Sequence, residues 1–273
     1  MSQTDRFEQL DTPERWFADL YRNFEPPGAI TFCDIDMSRS RDLIALARER
    51  GLRLTYSHLV VRAVGLALQR MPEVNCLMEN SRRLVCSTVD AAIPVGDTGV
   101  RFLPSAMLLR DIGRKNLPAI AAAMEVGAAA LRSSEPAEMT ALRKAAMLLN
   151  RKWIRTGLLR RFLGNAKWKR RHMGTVHISF LKDLDAFVPL APFVGIVIGA
   201  GRVRDKVVAE DGEIQVRPYM TLGCCIDHKI WDGLNLSRFI VQVRRILVEG
   251  ELITEIEGPA QKQSYAPQYV EAR

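Results

Sequence analysis

The sequence predicts an α/β fold of two layers, helices packed on one mixed β-sheet, and three observations predict it. Strand-like and helix-like periodicities alternate along the chain, but irregularly. Several strand-like stretches stand only a few residues apart, a spacing that suits hairpins and antiparallel pairs. Neither GxGxxG nor GxxxxGK[ST] occurs, so the glycine-rich phosphate turns of dinucleotide-binding and P-loop proteins are missing. Residues 1–273 read as one domain, with a basic helical insertion at about 134–172 and a frayed tail from about 258.

The elements follow in order. Residues 29–37, AITFCDIDM, alternate apolar and polar side chains, the period of a half-buried strand. Ser38 can cap a helix at roughly 39–50, which Gly51 ends. Over 55–71 the apolar Leu59, Val60, Ala63, Val64, Ala67 and Leu68 recur at helical spacing, a buried helix with Thr55 or Ser57 as its cap. RLVCSTVDAAIPVG at 83–96 reads as two short strands around a bend. An Ala-rich helix at 116–132 is capped by Asn116 and tolerates Pro118 in its first turn. Residues 174–181, 193–200 and 214–227 read as core strands, and 233–248 as an amphipathic C-terminal helix.

Composition narrows the classes. At 48% hydrophobic and 26% charged residues the chain is of ordinary globular make-up. No run of 18 apolar residues predicts a membrane span, and the polar, acidic start MSQTDRFEQLDTPERW is unlike a signal peptide. Five cysteines, odd in number and without Cys-x-x-Cys spacing, predict neither a disulfide framework nor a zinc site, and no metal is expected. The expected location is the cytoplasm, with attachment to a membrane surface as an alternative. Charge is uneven: residues 139–172 hold 11 Lys or Arg and no Asp or Glu, and removing those 11 from the net +8 leaves −3. Within that segment Leu142, Ala145, Leu149 and Trp153 recur at helical spacing. It can be a solvated helical excursion, or a surface for an anionic partner. Nucleic acid is not an expected partner, because no recognition fold accompanies the charge.

The sharpest motif is His228-x-x-x-Asp232-Gly233, which follows an apolar strand and precedes a helix. A side chain at a strand end can reach a cleft, although His and Asp at this spacing also make purely structural turns. The wider stretch RPYMTLGCCIDHKIWDG resembles the signature of the dihydrolipoamide acyltransferase catalytic domain of 2-oxo acid dehydrogenase complexes, and the chloramphenicol acetyltransferase motif is similar. LTYSHLVVRAVGLALQRMPEVNC resembles an early helix of those enzymes, and GTVHISFLKDLDAFVPL their serine-bearing strand. Together the resemblance covers roughly 29–132 and 173–249.

The resemblance implies a chloramphenicol acetyltransferase-like fold and a coenzyme A-dependent acyltransferase, with coenzyme A or acyl-CoA as co-substrate. It implies His228 as general base, since histidine as a residue type titrates near neutrality. Ser179 would donate to the oxyanion and would not be acylated. Asp232 would hold the loop through an ion pair, with Arg15 as the structural candidate and Arg22 next. His177, two residues from Ser179 on one strand, shares its face and can line the cleft. The sequence departs from the family at Lys229, at Phe180 and in the shortened LAPFVG loop, which bears on the acceptor more than on the reaction.

Only about 28 residues precede the first strand, so the chain is expected to carry no lipoyl group of its own. Expected partners are a homotrimer or a higher multiple of trimers, with the site between subunits, and acyl-CoA. Through the basic insertion, an acidic acyl-carrier or lipoyl protein, or an anionic membrane surface, is a further expected partner. The rival readings are a non-catalytic acyltransferase-like scaffold and a membrane-surface binding protein.

Overall fold

The first strand of the sheet, β1 (Ala29–Asp36), pairs with the last, β8 (Glu213–Ile226), from Ala29 opposite Ile226 to Asp36 opposite Tyr219. Between them come α1 (Ser38–Glu49), α2 (Tyr56–Gln69), β2 (Cys76–Glu79), β3 (Arg82–Val85), β4 (Ala91–Pro94) and β5 (Ala106–Leu109). Then follow α3 (Leu117–Ser133), α4 (Lys152–Leu163), α5 (Ala166–Met173), β6 (Val176–Phe180) and β7 (Ile196–Glu210). After β8 come α6 (Gly233–Val248), a single 3-10 turn (Glu251–Ile253) and α7 (Thr254–Glu257). A computed structural model of the chain describes residues 12, 15, 16, 19, 28–79, 82–96, 106–133, 151–190, 194–210 and 212–257.

The main sheet has six strands in the order β1-β8-β7-β6-β4-β5. β4 with β6 and β6 with β7 are parallel and the remaining pairs antiparallel, so the sheet is mixed, as the sequence predicts. Alternation along each strand sends one set of side chains to the helices. Val176 and Ile178, Ile196 and Ile198, and Leu222, Cys224 and Ile226 meet Leu59 and Val64 of α2, Ile120 of α3 and Phe239, Val243 and Ile246 of α6 in one core. Full burial of each large aliphatic or aromatic side chain contributes about 1.5–3 kcal/mol. Among the described residues, no helix is long and apolar enough to cross a membrane.

Most predicted elements lie where expected, and α6 does so at both ends. Asn116 does cap α3, its side-chain oxygen accepting from Ala119 N at 3.0 Å. Ser38 does not cap α1. Ser38 is the first residue of the helix, and Asp36 Oδ1 accepts from its amide at 2.8 Å. His58, expected as a packing residue, also accepts at Nδ1 from Thr55 N at 3.1 Å. β7 extends ten residues past its predicted end at 200, since VRDKVVAE lacks the continuous apolar run of a buried strand.

The insertion is more integral than a solvated excursion. Leu142, Ala145 and Leu149 lie outside the described residues; Trp153, on α4, is 72% exposed. α5, by contrast, is built into the molecule. Ala166 joins Leu77, Cys86, Val194, Val197 and Cys225 in a second apolar cluster on the opposite face of the sheet. Buried Lys169 donates from Nζ to Met78 O at 2.8 Å, and burial lowers its pKa. Arg110 donates to Asp90 Oδ2 and to Arg170 O, both at 2.9 Å, which fixes the end of α5 to the sheet. In α4, buried Arg155 pairs with buried Asp19 of the N-terminal segment at 2.7 Å. Arg155 and Lys169 stay inside because a carboxylate and a strand carbonyl satisfy them.

Candidate active site

His228 stands on a turn closed entirely by its neighbours. Asp227 N donates to Gly195 O at 3.0 Å, and Asp227 O accepts from Ile230 N at 2.9 Å and Trp231 N at 3.0 Å. Asp227 Oδ1 accepts from Lys229 N at 3.0 Å. The far end of the turn is held by Trp231, 1% exposed and edge-on to Phe239 with ring centroids 5.5 Å apart. The Trp231 carbonyl lies 2.7 Å from His228 Nδ1. A carbonyl can only accept, so Nδ1 carries the proton and Nε2 keeps a free lone pair. Among the described residues Nε2 has no hydrogen-bond partner, and the side chain faces solvent. This arrangement leaves one ring nitrogen open to a bound group.

Two further residues position the imidazole, and sequence reasoning missed both. Trp231 supplies the carbonyl; its signal was a large aromatic residue, beside Ile230, within the turn HKIWDG. Gly28 lies against the ring: a Cβ there would stand 2.4 Å from His228 Cβ and 2.9 Å from Cδ2. Nothing in the local sequence pairs positions 28 and 228, since their contact is created by the β1–β8 pairing.

Ser179 sits near the end of β6 opposite Gly199 of β7. Val176 and Ile178 point into the core, so His177 and Ser179 share the other face, as predicted, and both are half-buried. Among the described residues the Ser179 hydroxyl has no hydrogen-bond partner. The segment after β6 turns back across this face. Arg202 N donates to Leu184 O at 2.8 Å, and the Phe187 carbonyl lies where a Cβ on Gly199 or Gly223 would come within 2.3 or 2.4 Å. Only glycine at both positions lets that backbone lie on the sheet.

Ser179 and His228 do not meet within one chain. Ser179 is level with Gly199, while the His228 turn is hydrogen-bonded at Gly195, four residues away on β7. At about 3.3 Å per residue along a strand and about 4.8 Å between strands, the two backbones lie roughly 16 Å apart.

His177 donates from Nε2 to Met173 O at 3.0 Å, and burial pulls its pKa down to about 4. The unfolded chain, with an ordinary histidine near 6.5, binds the proton more readily than the folded one. This contribution to stability is therefore complete above pH 6.5 and is lost as pH falls toward 4, by about 2 kcal/mol at pH 5. His177→Gln is expected to flatten the loss of melting temperature between pH 7 and 5; an unaltered pH profile would show that the imidazole is not enclosed.

Asp232 has a job that sequence reasoning missed. It is the N-cap of α6, its Oδ1 accepting from Asn235 N at 2.7 Å. No arginine pairs with it among the described residues. Arg15 lies half-buried in the N-terminal segment, in which Asp19 pairs with Arg155 of α4, and Arg22 lies outside the described residues. Among the described residues no three His, Cys, Asp or Glu side chains cluster as metal ligands.

Known proteins are similar to this chain in sequence and fold. Residues 188–254 match the family "2-oxoacid dehydrogenases acyltransferase (catalytic domain)". The dihydrolipoyllysine-residue succinyltransferase component of the 2-oxoglutarate dehydrogenase complex of Bartonella vinsonii is 25% identical over 230 residues, 81% of this chain and 48% of that protein. The chain thus spans about half the length of that curated relative. Azotobacter vinelandii dihydrolipoamide acetyltransferase superposes with a TM-score of 0.65 at 17% identity, over 93% of this chain and 98% of that one. That structure belongs to an investigation of a serine, a histidine and an asparagine in its catalytic mechanism. Chloramphenicol acetyltransferase superposes with a TM-score of 0.50 at 16% identity, over 87% and 98%. The structural likenesses establish the predicted fold.

Proposed function

We propose that this chain, a relative of the 2-oxoacid dehydrogenase acyltransferase catalytic domains, passes an acyl group directly between a coenzyme A thioester and a thiol acceptor. The observation that carries the reading is the fixed tautomer of His228, with Nδ1–H on the Trp231 carbonyl and Nε2 open. Nε2 would take the proton of the attacking thiol as its sulfur adds to the thioester carbonyl. The Ser179 hydroxyl would donate to the oxygen that gains charge. When the carbon–sulfur bond to coenzyme A breaks, the proton on Nε2 returns to the departing thiolate, which leaves His228 as it began. No acyl-serine forms.

The sixteen-ångström separation has a role here. We infer a trimer, or a multiple of trimers, in which His228 of one copy faces Ser179 of the next. In the Azotobacter protein the asparagine follows the histidine by four positions, the spacing of Asp232 from His228. The residues beside the turn suit an anionic donor: Asp227 and Lys229 lie close enough to act on the Lys169 ammonium, which places α5, with exposed Lys167 and Arg171, next to His228.

The test is transfer from acetyl-CoA and succinyl-CoA to dihydrolipoamide by the purified chain, followed as thiol release. Turnover that requires both substrates, with no burst of acylated protein, is expected. A folded, assembled protein inert with every acyl donor, or one acylated at Ser179, would refute the reading. Gly28→Ala is expected to slow transfer about 100-fold, since a misplacement near 1 Å costs that much. The β1–β8 pairing and far-ultraviolet circular dichroism should persist; a wild-type rate would show that the ring tolerates displacement.

A further inference from the structure

The surplus positive charge of the chain gathers on two helices, and the fold consumes only part of it. Residues 151–173, which hold α4 and α5, carry nine Lys or Arg and no Asp or Glu. Three of the nine are occupied within the molecule. Arg155 pairs with Asp19, Lys169 donates to Met78 O, and Arg170 donates to the Ser87 and Thr88 hydroxyls. Arg151, Lys152, Arg160, Arg161, Lys167 and Arg171 are exposed. At about 3.6 residues per turn, Trp153, Gly157, Arg160 and Arg161 fall within roughly 100° of arc, one face of α4. Buried Arg155 and Leu163 face the body. Trp153 is 72% exposed, and a Cβ on Gly157 would meet no atom within 4 Å, so this face is open. Trp168 fixes α5 to the same helix, its ring 5.2 Å from that of Phe162 and 4.8 Å from that of His172.

Charge alone would suit any polyanion, and the indole separates the candidates. A Trp standing in water among cations has an apolar ring and a polar N–H, the form that rests between lipid headgroups and acyl chains. A folded acidic protein must offer this ring a pocket of matching position. Single-stranded nucleic acid stacks on several successive rings, and this face has one. A bilayer takes the ring without a matching shape. We propose that the exposed face of α4 docks the protein on an anionic lipid bilayer. Arg160, Arg161 and Lys152 meet the phosphate headgroups, and the Trp153 indole enters the headgroup–acyl boundary. The helix lies along the surface: its 12 residues, at about 1.5 Å each, fall well short of a hydrocarbon core about 30 Å thick. The inference does not rest on the acyl-transfer reading, in whose chemistry these four residues have no part.

The test is flotation of the full chain with vesicles of phosphatidylcholine, and of an equal mixture of phosphatidylcholine and phosphatidylglycerol. The wild type is expected to bind the mixed vesicles and not the neutral ones. Binding should fade between about 0.05 and 0.5 M salt, as the Debye length drops below about 5 Å. A cation beside an anionic surface contributes about fivefold in affinity, so Lys152→Gln, Arg160→Gln, Arg161→Gln together should weaken binding about 100-fold. Trp153→Ala leaves every charge in place and should weaken it roughly tenfold, the part supplied by the apolar ring. Indole quenching by phospholipids brominated near the headgroup should fall in the same variant. All four side chains are exposed, so melting temperature and the rate of thiol release without vesicles should match the wild type. A wild type that ignores the mixed vesicles would overturn the proposal. So would a Trp153→Ala variant that binds them as the wild type does, which would mark a general anion patch open to nucleic acid or an acidic protein. A wild type that binds vesicles but transfers no acyl group would leave the docking face standing and remove the acyl-transfer reading.

Discussion

His228→Ala is expected to reduce acyl transfer on the order of 100- to 10,000-fold, the usual cost of removing a general base. The fold should not change, because the imidazole is exposed and its one hydrogen bond goes to a carbonyl at its own turn. His228→Asn separates the two jobs of the ring. An amide nitrogen can still donate to the Trp231 carbonyl, but no basic nitrogen remains. If positioning of the turn were all that mattered, Asn would restore the rate; as proton transfer is the proposed role, Asn should be as poor as Ala. Oligomer mass and melting temperature should match the wild type in both. A near wild-type rate in either variant would remove the central claim.

Ser179→Ala should cost roughly 100- to 1,000-fold, the loss that follows removal of one oxyanion donor. The hydroxyl has no partner among the described residues, so its deletion should leave stability nearly untouched. The separation of Ser179 from His228 gives a stronger test than either variant alone. In a randomly assembled cyclic trimer of His228→Ala and Ser179→Ala chains, about one quarter of the sites pair an intact histidine with an intact serine. Two inactive proteins, unfolded and refolded together, should regain that share of activity. A site contained within one chain would regain nothing.

The helices and the central strands were legible in the sequence because their burial is periodic. α6 and α2 each present an apolar stripe, and both appear where the spacing places them. The distal half of β7 was not legible, because VRDKVVAE lacks the apolar run of a buried strand, whereas its partner residues were read within the strand predicted at 214–227. β2 and β5, four residues each, are too short to establish a period. At the site, the motif marked the position of His228 and could not mark what orients it. The tautomer comes from a backbone carbonyl, which carries no side-chain signature, and Gly28 matters only because another strand brings the imidazole to it. Asp232 was read as an ion-pair partner, and its capping of α6, which the preference for Asp at helix starts could have shown, was missed. The basic insertion misled in a related way. Its composition reads as surface, yet Arg155 and Lys169 are consumed inside the molecule by Asp19 and the Met78 carbonyl.

The pairing of β1 with β8 joins residues that stand as much as 197 positions apart, Ala29 with Ile226. During synthesis β1 leaves the ribosome early and waits, with one edge unpaired, until nearly the whole chain has been made. Such long-range closure is slow, because the loop must be drawn together before any contact offsets its entropy. The waiting edge is open to wrong partners, including the same strand of another nascent chain. Truncation shortly before β8 would therefore produce an aggregating chain, not a quiet inactive one. The His228 turn, which follows β8 directly, becomes shaped only when this last strand docks, so the appearance of the candidate site and the completion of the fold are one event.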